Sequence, residues 1–255
     1  MRTAQKLGML FCITAASLTA SPKHEAHLLL EQGKAKENLG DRSGANADYS
    51  TAIEIDPHFA KALVQRGGLY LLEKNYSLAI DDLTKVINLE PENHGAYYLR
   101  AATYLGRGEL DPATKDVEQA ISLNPKFAWS FSLLGLILSA QEEWEKAEDT
   151  FSQGIALDQG VNELYTNRAG VRLVLGDADG AFADADHAVH LDPRDSNAYS
   201  NRGSAKVMKG DLAGALLDLK RALELDPKNQ RAIETLESVH QFKGAEPDHE
   251  SSVTP

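Results

Sequence analysis

Residues 162–195 read NELYTNRAGVRLVLGDADGAFADADHAVHLDPRD, and residues 196–229 read SNAYSNRGSAKVMKGDLAGALLDLKRALELDPKN. Placed one under the other, the two 34-residue strings agree at a small set of positions. Tyrosine stands at position 4 (Tyr165, Tyr199), arginine at 7 (Arg168, Arg202), and a small residue at 8 (Ala169, Gly203). Glycine follows at 15, alanine at 20, aspartate at 23 and Asp-Pro at 31 and 32. The register runs back through Pro57, Pro91 and Pro125, each at position 32, and skips only at Gln159. An acidic residue or asparagine precedes every beat: Asp56, Glu90, Asn124, Asp158, Asp192 and Asp226. A fixed period of this length is the mark of a repeat architecture. It divides the chain into six units: 26–59, 60–93, 94–127, 128–161, 162–195 and 196–229.

Within a unit, positions 4, 8 and 11 are spaced as one face of a helix, and so are 20, 24 and 27. Each unit therefore predicts two amphipathic helices, A and B. Position 20 is alanine in all six units, and position 8 is glycine or alanine in all six. Small residues at both sites let antiparallel helices approach closely, while larger residues at 4 and 24 fill the space around them. Gly40, Gly108, Gly176 and Gly210 share position 15, where a helix ends on a left-handed residue. Position 11 holds Lys36, Arg172 and Lys206 in three units, whose stems are expected to pack while their charges reach water.

Comparison between units exposes a correlation. Arg66, Arg100, Arg168 and Arg202 occupy position 7, and the same units carry Asp82, Asp116, Asp184 and Asp218 at position 23. Unit 4 loses both together, with Leu134 and Thr150. The paired loss predicts an ion pair within each of the other four hairpins rather than arginines aimed at a ligand. Partly exposed pairs contribute about 0–1 kcal/mol each.

These features resemble the tetratricopeptide repeat family, a 34-residue helix–turn–helix. The resemblance covers residues 26–229 and implies an all-α fold: a right-handed superhelical solenoid of six hairpins. Residues 230–243 read as one more amphipathic helix, with Ala232, Ile233, Leu236, Val239 and His240 on one side, closing the last repeat's core. The polar tail, residues 244–255, is expected to be disordered.

By the family's geometry, helix A lines a concave groove with positions 2, 5, 6, 9 and 12. The resemblance thus implies a peptide-binding groove in which Tyr98, Leu99, Trp129, Leu133 and Leu136 form an apolar patch. Asn167 and Asn201, at position 6 of the next two units, would bond an extended peptide backbone. Asn197 and Thr166 make the same wall polar. One subset of the family clamps the C-terminal carboxylate of chaperones with Lys, Asn, Asn, Lys and Arg. Around unit 5 that pattern fails, since Ser132, Leu136 and Asn197 stand at its other positions.

Composition narrows the function classes. The chain has 255 residues, 42% of them hydrophobic and 25% charged, so it is ordinary globular material. Its net charge of −12 repels phosphate backbones and argues against a nucleic-acid partner. No P-loop, G-x-S-x-G or H-E-x-x-H occurs, so neither an enzyme nor a small-molecule substrate or cofactor is expected. His187 and His190, three apart beside Asp184 and Asp186, are the best metal candidates and a weak one, because Asp184 is already claimed by Arg168.

The N-terminus carries Arg2 and Lys6, an apolar run from Leu7 to Ala16, and then small residues. That is the layout of a secretory signal peptide, cleaved after Ala16 or after Ala20. The expected location is therefore periplasmic or secreted. The alternative is a membrane tether through a retained N-terminal segment, although the 16 residues between Lys6 and Lys23 are short for a span. Cys12, the single cysteine, falls inside this stretch. The expected activity is non-enzymatic binding of a protein or peptide; a scaffold or assembly factor working through convex or terminal surfaces in an envelope complex is the alternative, and a metal-binding enzyme a remote one.

Overall fold

The protein is described here by a computed structural model covering residues 21–244. The signal peptide read at residues 1–20 and the tail beyond Gly244 lie outside the described residues. Thirteen α-helices occupy that range, and among the described residues there is no strand. They are α1 (Pro22–Asn38), α2 (Arg42–Ile55), α3 (Ala60–Leu72), α4 (Tyr76–Leu89), α5 (His94–Arg107), α6 (Leu110–Leu123) and α7 (Ala128–Ala140). The remainder are α8 (Trp144–Leu157), α9 (Asn162–Leu175), α10 (Ala178–Leu191), α11 (Ser196–Met208), α12 (Leu212–Leu225) and α13 (Gln230–Gly244). Odd numbers up to α11 are the A helices and even numbers the B helices, one hairpin to each 34-residue unit.

The chain divides into two compact units, one ending at Leu123 and the other beginning at Asn124. In the first, each A helix packs on its own B helix, each B helix on the next A, and consecutive A helices touch one another. The second repeats the scheme from α7 to α13. Within neither unit do two B helices pack together among the described residues, so in each the A helices form one continuous wall.

The small-residue seam explains why the hairpins close. All six alanines at position 20 are completely buried. A Cβ added to Gly33 would fall 2.4 Å from the Tyr49 ring, and one on Gly135 would fall 2.5 Å from Phe151. Both partners stand at position 24, so the glycine of helix A is the socket for the bulky position-24 side chain of helix B. Core clusters follow from this contact: Leu30, Tyr49 and Phe59 in the first unit, and Phe151, Val161 and Leu164 in the second.

Turn chemistry accounts for the punctuation. Gly40, Gly108, Gly176 and Gly210 have φ near +80° (81°, 78°, 82° and 81°), as position 15 requires. Units 2 and 4 make the same turn without glycine, with Lys74 at φ 60° and Glu142 at φ 62°. Before the prolines, Asp56, Asp192 and Asp226 each accept the backbone N–H two residues on, at 3.1, 2.9 and 2.9 Å. Asp158 does the same to Gly160 at 2.9 Å, which is why Gln159 can replace proline without losing the turn.

The four ion pairs are two-pronged. Arg66 donates through Nε and Nη2 to the two oxygens of Asp82 at 2.7 and 2.9 Å, and Arg100 to Asp116 at 2.6 and 2.8 Å. Arg168–Asp184 and Arg202–Asp218 repeat the fork. The third nitrogen, Nη1, reaches position 25 of the preceding hairpin: Ser50, Thr84, Ser152 and Asp186 in turn. One arginine therefore joins two repeats. The aspartates are nearly buried, with side-chain exposures of 3, 10, 6 and 7%. The aspartates are thus more buried than the arginines, which keep 14–16% exposure, and a buried carboxylate left without its partner costs far more than a surface one. The hydrogen bond to aspartate holds the Arg66 and Arg100 guanidinium pKa above the ordinary value, outweighing their desolvation.

The position-11 cations do not simply reach water. Lys36 pairs with Asp48, Arg172 with Asp184 and Glu148, and Lys206 with Asp218. Each therefore meets the acid at position 23 of its own hairpin. In the closing helix Ala232 and Val239 are buried as expected, but His240 is exposed.

Candidate functional site

In the second unit the A-helix wall carries a pocket of about 260 Å³. Its apolar side comes from Leu136, Trp144, Val171 and Val174. Its polar side comes from Thr166 and Asn167 on α9, Asn197 and Asn201 on α11, and Arg231 on α13. The helical repeat puts them there: Thr166, Asn167, Gly170 and Val174 lie on one face of α9. Gly170 leaves that face low, and the Arg231 guanidinium lies over it, with Nη1 3.7 Å from where a Cβ would stand.

A chain of hydrogen bonds fixes the polar side. Asp195 accepts the Thr166 hydroxyl at 2.6 Å and the Asn162 amide at 2.8 Å, and its other oxygen caps α11 through the Asn197 N–H at 2.8 Å. Asn201 donates to the Thr166 carbonyl at 2.8 Å and accepts Arg231 Nη1 at 3.1 Å. Asn229 donates to Asn197 at 3.1 Å and caps α13 through the Ala232 N–H at 3.0 Å. Asn167 makes no side-chain hydrogen bond among the described residues, so both ends of its amide stay available on a half-buried wall. Much of Arg231 is open to solvent, yet loss of water around its guanidinium draws its pKa below the ordinary value. It remains charged at any physiological pH.

Of the groove residues expected from sequence, Leu136, Asn167 and Asn201 line this one pocket. Trp129, on the same helix as Leu136, is 38% exposed and lies outside the lining. Leu133 is only 6% exposed, so it packs inside the protein and offers a ligand little. Asn201 is 5% exposed and bonds through both of its amide atoms, which makes it a strut for Arg231 rather than a free backbone reader. Tyr98 and Leu99 belong to the first unit, where both are half-buried and Leu99 packs against the core around Leu63 and Leu83. Reading residues 230–243 only as a helix that closes the last repeat's core leaves Arg231 out of the groove. Counting the 34-residue register one unit further puts it at position 2, a groove-facing position.

Among the described residues, no group of three or more His, Cys, Asp or Glu is placed to hold a metal ion. The His187 ring lies 4.3 Å from Tyr165, and His190 Nδ1 is 2.7 Å from the Asp186 carbonyl oxygen. No helix among the described residues is long and apolar enough to cross a membrane.

Two family profiles, both described as tetratricopeptide repeat, match the sequence. One covers residues 30–93 and 166–230, the other 94–127. The chain belongs to the tetratricopeptide repeat family. Proteins of this family are in general non-catalytic protein–protein interaction modules. No curated protein sequence matches this repeat chain.

Solved structures share its fold. The Cut9–Hcn1 hetero-tetramer of APC/C aligns with a TM-score of 0.78 and 18% identity, over 91% of this chain and 45% of that one. The present repeats thus span less than half of that relative. PilF of Pseudomonas aeruginosa aligns at 0.73 with 16% identity, over 85% of this chain and 99% of that one. YrrB, described as a tetratricopeptide repeat protein with an unusual peptide-binding site, aligns at 0.55 with 20% identity, over 74% and 97%.

Proposed function

We propose that this tetratricopeptide repeat protein is a non-enzymatic binding module that holds an extended peptide segment against the A-helix wall of its second unit. The observation that carries the reading is the pocket between Leu136 and Arg231, where an apolar side faces the unbonded amide of Asn167. An amide with a free donor and a free acceptor matches the two hydrogen-bonding groups of a peptide unit. Leu136 and Val174, 39% and 52% exposed, would take apolar ligand side chains. The peptide-binding site named for YrrB supports the class of ligand. We further propose export, on the charged, apolar and small-residue layout of residues 1–20; the mature N-terminal sequence from the native host tests it.

The binding reading is tested by selecting random nonapeptides, acetylated and amidated at their ends, on the full chain. The wild type should enrich peptides with an apolar anchor, and Leu136→Asp together with Val174→Asp should abolish that enrichment while helical content is retained. Enrichment that survives both substitutions would move the working surface to another face.

A further inference from the structure

Arg231 differs from the four arginines that tie the hairpins together. Each of those donates two hydrogen bonds to its own aspartate. Arg231 donates one, from Nη1 to the neutral oxygen of Asn201, and forms no ion pair among the described residues. Glu234, one turn along the same helix, accepts the Gln230 amide at 2.8 Å and reaches Arg231 through its charge alone, without a direct pair. The guanidinium lies over Gly170, where a Cβ would come within 3.7 and 3.9 Å of its two terminal nitrogens. Asn201 is in turn fixed by the Thr166 carbonyl. A planar cation with unspent N–H groups, oriented by Asn201 and lining the same pocket as the unbonded Asn167 amide, matches the geometry of a carboxylate.

Its place along the wall decides which carboxylate. Arg231 and Val174 line the 260 Å³ pocket on one side and a second pocket of about 380 Å³ on the other. The second pocket is walled by Leu173, Val207 and Met208, with Glu234 and the hydroxyls of Ser204, Thr235 and Ser238 at its polar edge, and Met208 is 47% exposed. A ligand can therefore run past the guanidinium in both directions, and the group meeting it lies within the peptide rather than at its end.

We propose that Arg231 is an acid-reading anchor that takes the side-chain carboxylate of an internal Asp or Glu, with apolar ligand residues seated in the pockets on either side. The inference rests on the reading of this wall as a peptide groove, and its test separates the two. Nonapeptides selected on the full chain, with both ends blocked, should enrich Asp or Glu at one internal position. For an enriched peptide, Glu→Gln or Asp→Asn should weaken binding about tenfold or more, as expected for a hydrogen bond to a charged group. Arg231→Met should remove that discrimination and leave the apolar preference, and Arg231→Lys, which keeps the charge without the planar fork, should restore only part of it. The anchor is overturned if bound peptides show no acidic preference, or if the preference persists in Arg231→Met. A parallel pool with free C-termini in which the terminal carboxylate is preferred, and loses its advantage in Arg231→Met, would overturn the internal position. A wild-type chain that enriches nothing removes the groove itself, an outcome separate from all of these.

Discussion

At the scale of single residues, the buried forks make the clearest energetic statement. The side chains of Asp116 and Arg100 are 10% and 16% exposed, and the arginine also holds Thr84 of the preceding hairpin. Removing one ion leaves the other desolvated and unpaired, whereas removing both leaves neither penalty. Asp116→Ala should therefore lower stability by about 3 kcal/mol, while Arg100→Met combined with Asp116→Leu should be near neutral. Urea denaturation followed by circular dichroism measures both; equal losses in the single and double variants would make the pair a minor contributor. The fork was legible in the sequence because four units keep both residues and unit 4 drops both, so repetition supplied the comparison. The cations at position 11 escaped the same reading. Lys36, Arg172 and Lys206 stand at a position that is apolar in other units, which masks their relation to the aspartate at position 23 of their own hairpin.

At the scale of the helix and its turn, six hairpins build one left-handed corner with two kinds of residue. Glycine adopts it freely, but Lys74 and Glu142 carry a Cβ into a region that costs an ordinary residue roughly 1–2 kcal/mol. Glycine in the unfolded chain gives back part of the gain, so Lys74→Gly and Glu142→Gly should each stabilise by about 0.5–1 kcal/mol. Thermal melts read the outcome, and a fall in melting temperature would mean that these side chains contribute contacts worth more than the turn strain. The corner itself could be read from Gly40, Gly108, Gly176 and Gly210. That it persists at Lys74 and Glu142 could not, since local propensity opposes it there and only packing of the flanking helices imposes it. Arg231 was hidden for a related reason. It occurs once, on a helix outside the counted repeats, and a site made once leaves no pattern between units.

For the molecule as a whole, the boundary between Leu123 and Asn124 allots the parts unequally. The first unit has its own buried clusters around Tyr49 and around Leu83; the second has clusters around Phe151, Tyr165 and Leu219. In a repeat array, stability is close to a sum of hairpin terms and nearest-neighbour contacts, so three hairpins with a core of their own suffice to fold. Every residue of the Leu136–Arg231 pocket falls in the second unit, together with the helix that carries Arg231. A chain beginning at Asn124 should therefore be helical, melt cooperatively and keep the peptide preference of the full protein. A chain ending at Leu123 should be helical and keep none of it. Circular dichroism melts and titration of both pieces with a peptide selected on the full chain decide the matter. If the second piece folds but does not bind, the first unit supplies part of the binding surface, and the pocket between Leu136 and Arg231 is only a fraction of it.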